Sequence, residues 1–358
     1  MNNGGHGADI YGASKIFGIN EDEIIDFSSN INPFGIPDSV QEAIIRSIKY
    51  SNRYPDINSR ELVKELSQYE GIPESWIFCS NGAAEAIFRI ALSLTPGNAI
   101  LLEPTFSEYE QALKTVETDI KYFALDEKNG FKLTQDITNC INIDTDIVFI
   151  CNPNNPTGQI SDKILLEKII LHCKLMNTTV VVDECFMDFV ANKEKYSVVD
   201  LVEKYDNLIV LKAFTKIYAI PGVRLGYCMS SKANFISSLK KSGPPWNVST
   251  MAQAAGVASL KEIEYVTNSV QYVKKQRLYL MDEMKKLNIK IYDSFANYIF
   301  LKLINKIDLY DELLKKGILV RSCSNYRNLD DSYYRIAVKS ESENKILIEN
   351  LKKIIGTK

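Results

Sequence analysis

The sequence is short of histidine, of tryptophan and of any concentration of charge, and these shortages remove whole classes of function. Only His6 and His172 occur in 358 residues. So far apart in sequence, they do not form the histidine cluster a zinc site would use. The 42 basic and 45 acidic residues give a net charge of −3 with no block of one sign. A surface for nucleic acid, which shows as a basic stripe, is therefore not expected. No apolar run approaches the ~18–20 residues that cross a bilayer. Residues 1–7 are polar and glycine-rich, without the apolar segment of a secretory signal. The seven cysteines are scattered, odd in number and free of any Cys-x-x-Cys spacing. That favours reduced thiols in a cytoplasmic protein over a disulfide framework or a metal site.

What is present is the balance of an ordinary globular protein, with 46% hydrophobic and 24% charged residues. A chain of this length exceeds what one hydrophobic core usually supports, so two domains are expected. Short apolar runs at Ile77–Cys79, Ala99–Leu102, Ile147–Cys151, Thr179–Asp183, Leu208–Leu211 and Leu225–Met229 read as buried strands. Helical patterns at Ala84–Leu94, Ser107–Val116, Asp162–Met176 and Lys232–Lys240 alternate with them. This alternation predicts an α/β domain with a mostly parallel sheet covered on both faces. Gly243-Pro244-Pro245 marks a boundary. After it come a long helical stretch from Ile263 to Leu287, alternating segments at Ile289–Tyr292, Tyr298–Leu303, Leu319–Arg321 and Tyr333–Val338, and helices near Asp308–Lys316 and Glu341–Ile355. The expected division is a large domain over 46–243, with 1–45 and 244–358 forming an N-terminal arm and a smaller α+β unit.

Four strings carry chemistry. Thr215-Lys216-Ile217-Tyr218-Ala219-Ile220-Pro221-Gly222-Val223-Arg224 places a lysine after a strand, between a hydroxyl and an arginine. That combination suits a phosphorylated aldehyde, with Lys216 binding the carbonyl carbon and Thr215 and Arg224 the phosphate. A lone lysine is more often a solvated surface group, and that is the reading for Lys212. Ser80-Asn81-Gly82-Ala83-Ala84-Glu85 follows a strand and opens a helix, where free N–H groups form a phosphate site and Gly82 allows close approach. Taken alone it would be an ordinary cap. Asn152-Pro153-Asn154-Asn155-Pro156-Thr157-Gly158 is a turn cluster after a strand. Val180-Val181-Val182-Asp183-Glu184 ends a buried strand in a carboxylate.

In this order the strings resemble the class I/II aminotransferase superfamily of fold-type I pyridoxal 5′-phosphate (PLP) enzymes, over nearly the whole chain. The resemblance implies that Lys216 carries PLP, that Asp183 pairs with the pyridine nitrogen, and that Asn155 faces the ring's phenolic oxygen. It further implies that Phe106 stacks on the ring, that Gly82, Ala83, Ala84, Thr215 and Arg224 hold the phosphate, and that Tyr54 reaches the cofactor of a second subunit in a homodimer. Many aminotransferases carry a tyrosine two residues after the Asp-Glu pair; this chain has Phe186 there.

Gly5-His6-Gly7-Ala8-Asp9-Ile10 and Asp26-Phe27-Ser28-Ser29-Asn30-Ile31-Asn32-Pro33 are similar to the threonine-phosphate decarboxylases of cobalamin biosynthesis. The strings Val320-Arg321-Ser322-Cys323-Ser324-Asn325-Tyr326 and Tyr334-Arg335-Ile336-Ala337 agree with them. This resemblance implies a substrate site formed by His6, Gly7, Asn30, Asn155, Arg321 and Arg335. A phosphorylated amino acid carries two anionic groups, and arginine's planar fork suits each. Arg335 is assigned the carboxylate, and Arg321 with His6 the phosphate. Two alternatives share the core strings: a decarboxylase of serine phosphate, one methyl smaller, and a histidinol-phosphate-type aminotransferase. A PLP-binding regulatory sensor would need an attached DNA-binding module, for which neither length nor a basic segment is seen.

Overall fold

The computed structural model describes residues 7–356. Helix α1 (Ile10–Phe17), strand β1 (Ile25–Asp26) and helices α2 (Asp38–Ser47) and α3 (Arg60–Glu70) precede the main sheet. That sheet is built from β2 (Ile77–Ser80), β3 (Asn98–Glu103), β4 (Asp119–Ala124), β5 (Ile147–Cys151), β6 (Thr179–Asp183), β7 (Leu208–Ala213) and β8 (Gly226–Met229). Between its strands run α4 (Gly82–Leu94), α5 (Glu108–Lys114), α6 (Lys163–Leu175) and the short α7 (Phe214–Ile217). The remainder comprises α8 (Phe235–Lys241), α9 (Thr250–Ser259), α10 (Ile263–Lys285), β9 (Ile289–Ile291), β10 (Tyr298–Leu303), α11 (Leu309–Leu314), β11 (Ile318–Leu319), β12 (Arg321–Ser322), β13 (Tyr333–Ala337) and α12 (Glu341–Ile355).

The seven strands lie in the order β2-β8-β7-β6-β5-β3-β4. All neighbouring pairs are parallel except those of β8, which runs antiparallel to both β2 and β7. The α/β, mostly parallel sheet expected from the sequence is therefore present. Every residue of β5, β6 and β7 is buried, which is why these strands read as unbroken apolar runs. Strand β4 was not anticipated. It is an edge strand whose Asp119 and Lys121 stay partly or fully exposed, and such charges protect an open edge from pairing further.

A second sheet, β12-β13-β10-β9, is antiparallel throughout. The single strand expected at Leu319–Arg321 is in fact two. Ile318 and Leu319 pair with β1 in parallel, while Arg321 and Ser322 turn to pair with β13. This change of partner brings Arg321 directly opposite Arg335.

Two ionic ties join the seven-stranded unit to the four-stranded one. The Glu127 carboxylate, just after β4, accepts hydrogen bonds from Lys290, Tyr292, Lys302 and Tyr333. Burial alone would raise its pKa, but these donors outweigh it and hold the carboxyl far below its ordinary range. Arg327 makes a two-pronged contact with Glu110 at 2.9 and 2.7 Å and lies 4.2 Å above the Tyr122 ring.

Candidate active site

The carboxyl ends of the parallel strands open into a cleft of about 440 Å³, the place where α/β sheets bind ligands. Three loops set its floor. Strand β6 ends at Asp183, whose Oδ2 accepts the Tyr109 hydroxyl at 2.6 Å and whose Oδ1 accepts the Cys185 N–H at 2.9 Å. After β7 the chain enters α7, and Lys216 projects into the cleft. Burial first, then the positive charges of Arg335 and Arg224, bring the Lys216 amine down to about 8 from its ordinary 10.5. Its ammonium makes no ion pair among the described residues, and the Phe186 ring lies 6.0 Å from Nζ. The amine is therefore substantially neutral near pH 8, the form in which it is a nucleophile.

The N-terminus of α4 forms an anion cradle. Gly82 adopts φ +76°, and a Cβ there would fall 2.5 Å from Nη2 of Arg224. Gly226 is required as well, because its Cβ would meet the Ala83 nitrogen at 2.5 Å. Ala83, Ala84, Thr215 and Arg224 all border the cleft. The exposed N–H groups of a thirteen-residue helix, a guanidinium and a hydroxyl together suit a phosphate.

The opposite wall comes from the antiparallel sheet and the arm. Arg335 donates to the Ser28 carbonyl at 2.8 Å and to Asn155 Oδ1, while its Nε is buried without a partner among the described residues. Arg321 donates to Asn325 Oδ1 at 2.8 Å and lies over the Tyr326 ring. Both arginines are more than nine-tenths buried. Like charges directly opposite on paired strands repel, and no carboxylate pairs with Arg335 among the described residues. The two guanidiniums therefore define an anion-binding site. Asn30 lies beside them, with its Oδ1 buried and unpartnered among the described residues. Asp26 shapes this edge by accepting the N–H of Ser28 at 2.8 Å and the hydroxyls of Ser28 and Ser29. Gly7 crosses closely enough that a Cβ would come 2.6 Å from the Ser28 carbonyl oxygen.

Of the residues singled out in the sequence, Gly7, Asn30, Ala83, Ala84, Phe106, Asn155, Asp183, Thr215, Lys216, Arg224, Arg321 and Arg335 all border this cleft. His6 lies outside the described residues. Tyr54 is not in the cleft: it is 77% exposed and stacks on Trp246 at 4.5 Å. The surface reading of Lys212 is overturned. Lys212 is only 2% exposed, with Nζ 3.4 Å from Glu70 and 3.7 Å from Asp188. It lines a separate groove with Glu70 and Lys193. Tyr109 and Tyr326 were missed as site residues. Tyr109 follows Phe106 by three positions, and the two rings meet edge to face at 5.7 Å, a contact that helical spacing could have suggested.

Glu184 also points away from the cleft, accepting from Ser197 Oγ and Val198 N at 2.7 Å each. Burial lifts its carboxyl to about 7, against an opposing pull from Lys212. Because the folded value lies above the unfolded value of 4.5, stability from this group is present below about pH 4.5 and lost as pH rises through 7. The loss is on the order of 3 kcal/mol. Glu184→Gln, which keeps an acceptor for the Val198 N–H and can instead donate its amide to Ser197 Oγ, is expected to flatten the stability profile between pH 5 and 8 in urea titrations. An unchanged slope would reassign the ionisation elsewhere.

Comparison with known proteins identifies the framework. Residues 22–351 match the aminotransferase class I and II family. The chain belongs to that family. It is 35% identical to a threonine-phosphate decarboxylase of Salmonella typhimurium, over 99% of this chain and 97% of that protein. It is 33% identical, over its full length, to 42% of an adenosylcobalamin biosynthesis bifunctional protein of Leptospira interrogans. The solved histidinol-phosphate aminotransferase of Clostridium acetobutylicum superimposes with a TM-score of 0.85 at 32% identity, covering 92% of this chain and 98% of that one. PLP is the family's cofactor, and the residues present fit it. An anion cradle, a buried amine and a buried carboxylate border one cleft, with Phe106 alongside to cover a ring.

Proposed function

We propose that the protein is a PLP-dependent carboxy-lyase that decarboxylates L-threonine O-3-phosphate to (R)-1-aminopropan-2-yl phosphate and carbon dioxide in cobalamin biosynthesis. The observation that carries this reading is the buried pair Arg321 and Arg335, facing each other across β12 and β13 beside Lys216. Two fixed cations match a substrate with both a carboxylate and a phosphate. The decarboxylase of Salmonella typhimurium supports the same substrate.

Bound in the cleft, PLP supplies an aldehyde that captures the substrate amine and a ring that accepts electrons from Cα. The chain's residues do the rest. Arg224, Thr215 and the α4 N-terminus hold the cofactor phosphate, and Asp183 holds a proton on the ring nitrogen. Asn155, with Oδ1 engaged by Arg335, has its Nδ2 donor left for the ring oxygen. Arg335 binds the substrate carboxylate and Arg321, with His6, the phosphate; Gly7 and Asn30 complete that wall. Fixing both ends of the substrate sets which bond at Cα is aligned for cleavage. Lys216, once displaced, takes up the proton that the substrate ammonium gives up on binding and returns it to Cα after carbon dioxide leaves. Phe186 provides no hydroxyl at the position where many aminotransferases have one.

The remainder of the proposal concerns organisation. Residues 46–243 form the cofactor-binding domain, supported by the confinement of the seven-stranded sheet to 77–229. Residues 1–45 and 244–358 form the second domain. An exposed Tyr54 beside Trp246 suits a homodimer in which Tyr54 completes the neighbouring site. Seven unpaired cysteines, with no helix among the described residues long and apolar enough to cross a membrane, suit the cytoplasm.

Incubation with threonine phosphate and no 2-oxo acid is expected to release carbon dioxide stoichiometrically, with serine phosphate turned over more slowly. One methyl in an apolar pocket is worth about 1–3 kcal/mol. Consumption of 2-oxoglutarate with histidinol phosphate, and no carbon dioxide from either phosphorylated amino acid, would establish an aminotransferase instead.

A further inference from the structure

A carboxylate that must keep a proton on a ring nitrogen, without taking it, needs its own negative charge stabilised. Asp183 is 4% exposed, so water contributes little. Its two oxygens are each served by one fixed donor. Cys185 N–H covers Oδ1 and the Tyr109 hydroxyl covers Oδ2. The Tyr109 side chain is itself held rigidly. It is fully buried, stacked on Phe149 at 5.0 Å and set edge-on to Phe106 at 5.7 Å. Burial, followed by the neighbouring Asp183 charge, pushes the phenol well above its ordinary value, so it remains a donor throughout the working pH range.

We propose that Tyr109 is a positioning residue for the electron sink: its hydroxyl stabilises the Asp183 carboxylate and thereby keeps the shared proton on the cofactor's ring nitrogen. This rests on the assignment of Asp183 as the partner of that nitrogen. A hydrogen bond to an ionised group lowers its proton affinity. Without the phenol, the carboxylate becomes more basic and draws the proton toward itself, and the ring withdraws electrons less strongly. The contact also fixes the carboxylate's rotation, because the tyrosine ring is clamped between Phe149 and Phe106. Phe106, assigned to the cofactor's face, and Tyr109, bonded to the group at its edge, thus pack directly against each other.

The test is Tyr109→Phe, which keeps the ring and its stacking and removes only the oxygen. The resting holoenzyme, reconstituted with PLP labelled with ¹⁵N in the ring, is read by NMR. Its nitrogen signal is expected to move toward that of an unprotonated pyridine. kcat should fall roughly tenfold, the worth of one hydrogen bond to a charged group, while KM for threonine phosphate stays within twofold. Should the variant not fold, 3-fluorotyrosine introduced at position 109 alone gives a more acidic, stronger donor. The nitrogen signal should then move the opposite way. An unshifted nitrogen signal in either protein overturns the proposal, even if kcat falls. Asp183→Asn separates the two levels of the argument. If that variant retains the wild-type nitrogen signal, the assignment of Asp183 fails; if only the Tyr109 variants do, the Tyr109 proposal fails alone.

Discussion

Replacing Lys216 with alanine is expected to abolish the visible absorbance of covalently held PLP and to reduce turnover by roughly a hundred- to ten-thousandfold from lost proton transfer alone. The side chain has two tasks that no other described residue is placed to take. It must be an uncharged amine to bind the cofactor aldehyde, and its environment meets that need by burial and by the adjacent Arg335 and Arg224 charges. It must then deliver a proton to Cα from the position it occupied. Lys212 cannot substitute, since it is enclosed by carboxylates that keep it charged. The cradle at the α4 N-terminus and Asp183 remain in the variant, so PLP should still bind, though not covalently. Absorbance spectra and borohydride trapping followed by peptide mapping check this. A surviving band, or a trapped cofactor on another lysine in the wild-type protein, would remove Lys216 from the mechanism.

Lys212→Met is expected to destabilise the fold by about 3–5 kcal/mol, the usual cost of removing one partner from a buried ionic cluster. Burial opposes the charge on Lys212, yet Asp188, Glu70 and Glu184 together raise its pKa well above the ordinary value. Methionine fills similar space but leaves these acids facing one another. Asp188 retains the Lys193 ammonium at 2.8 Å, while Glu70 and Glu184 keep only neutral donors; burial already raises the Glu184 carboxyl against the pull of Lys212, so the damage should centre on Glu184. The double variant Lys212→Met/Glu184→Gln should therefore recover part of the loss, a non-additivity expected within one network. Denaturant titration of all three proteins tests this. A wild-type midpoint for Lys212→Met would mean that the cluster contributes no net stability.

The sequence was most informative where a single residue type had one environment. Strands β5 and β6 were bounded in advance because burial on both faces leaves only apolar choices. Helices α2, α3 and α9 were not anticipated. In α3 only Leu62 and Leu66 are buried, too narrow a stripe to stand out among charges. Helix α9 is made largely of small residues with little periodicity. The site shows the same contrast. Lys216 and Asp183 sit in strings that announce themselves, and their loops bring them to one cleft. Lys212 was misread because what makes it special, Glu70 and Asp188, comes from separate parts of the chain. Tyr109 was missed for a similar reason: nothing in an apolar helix face reveals that one hydroxyl meets a carboxylate two strands away in the sheet.

The tie at Glu127 has a consequence for what can loosen the join between the two sheets. The pKa of its carboxylate is held so far below the ordinary range that the group stays charged at any pH a cell reaches, and no proton can act as the release. Yet the cluster lies near the surface, with Lys290 about half exposed, where dissolved ions screen such attractions over a Debye length of about 8 Å. The Arg327–Glu110 contact is open to solvent in the same way. Dissolved salt, rather than acidity, is thus the agent able to weaken both contacts between the arginine-bearing wall and the cofactor floor.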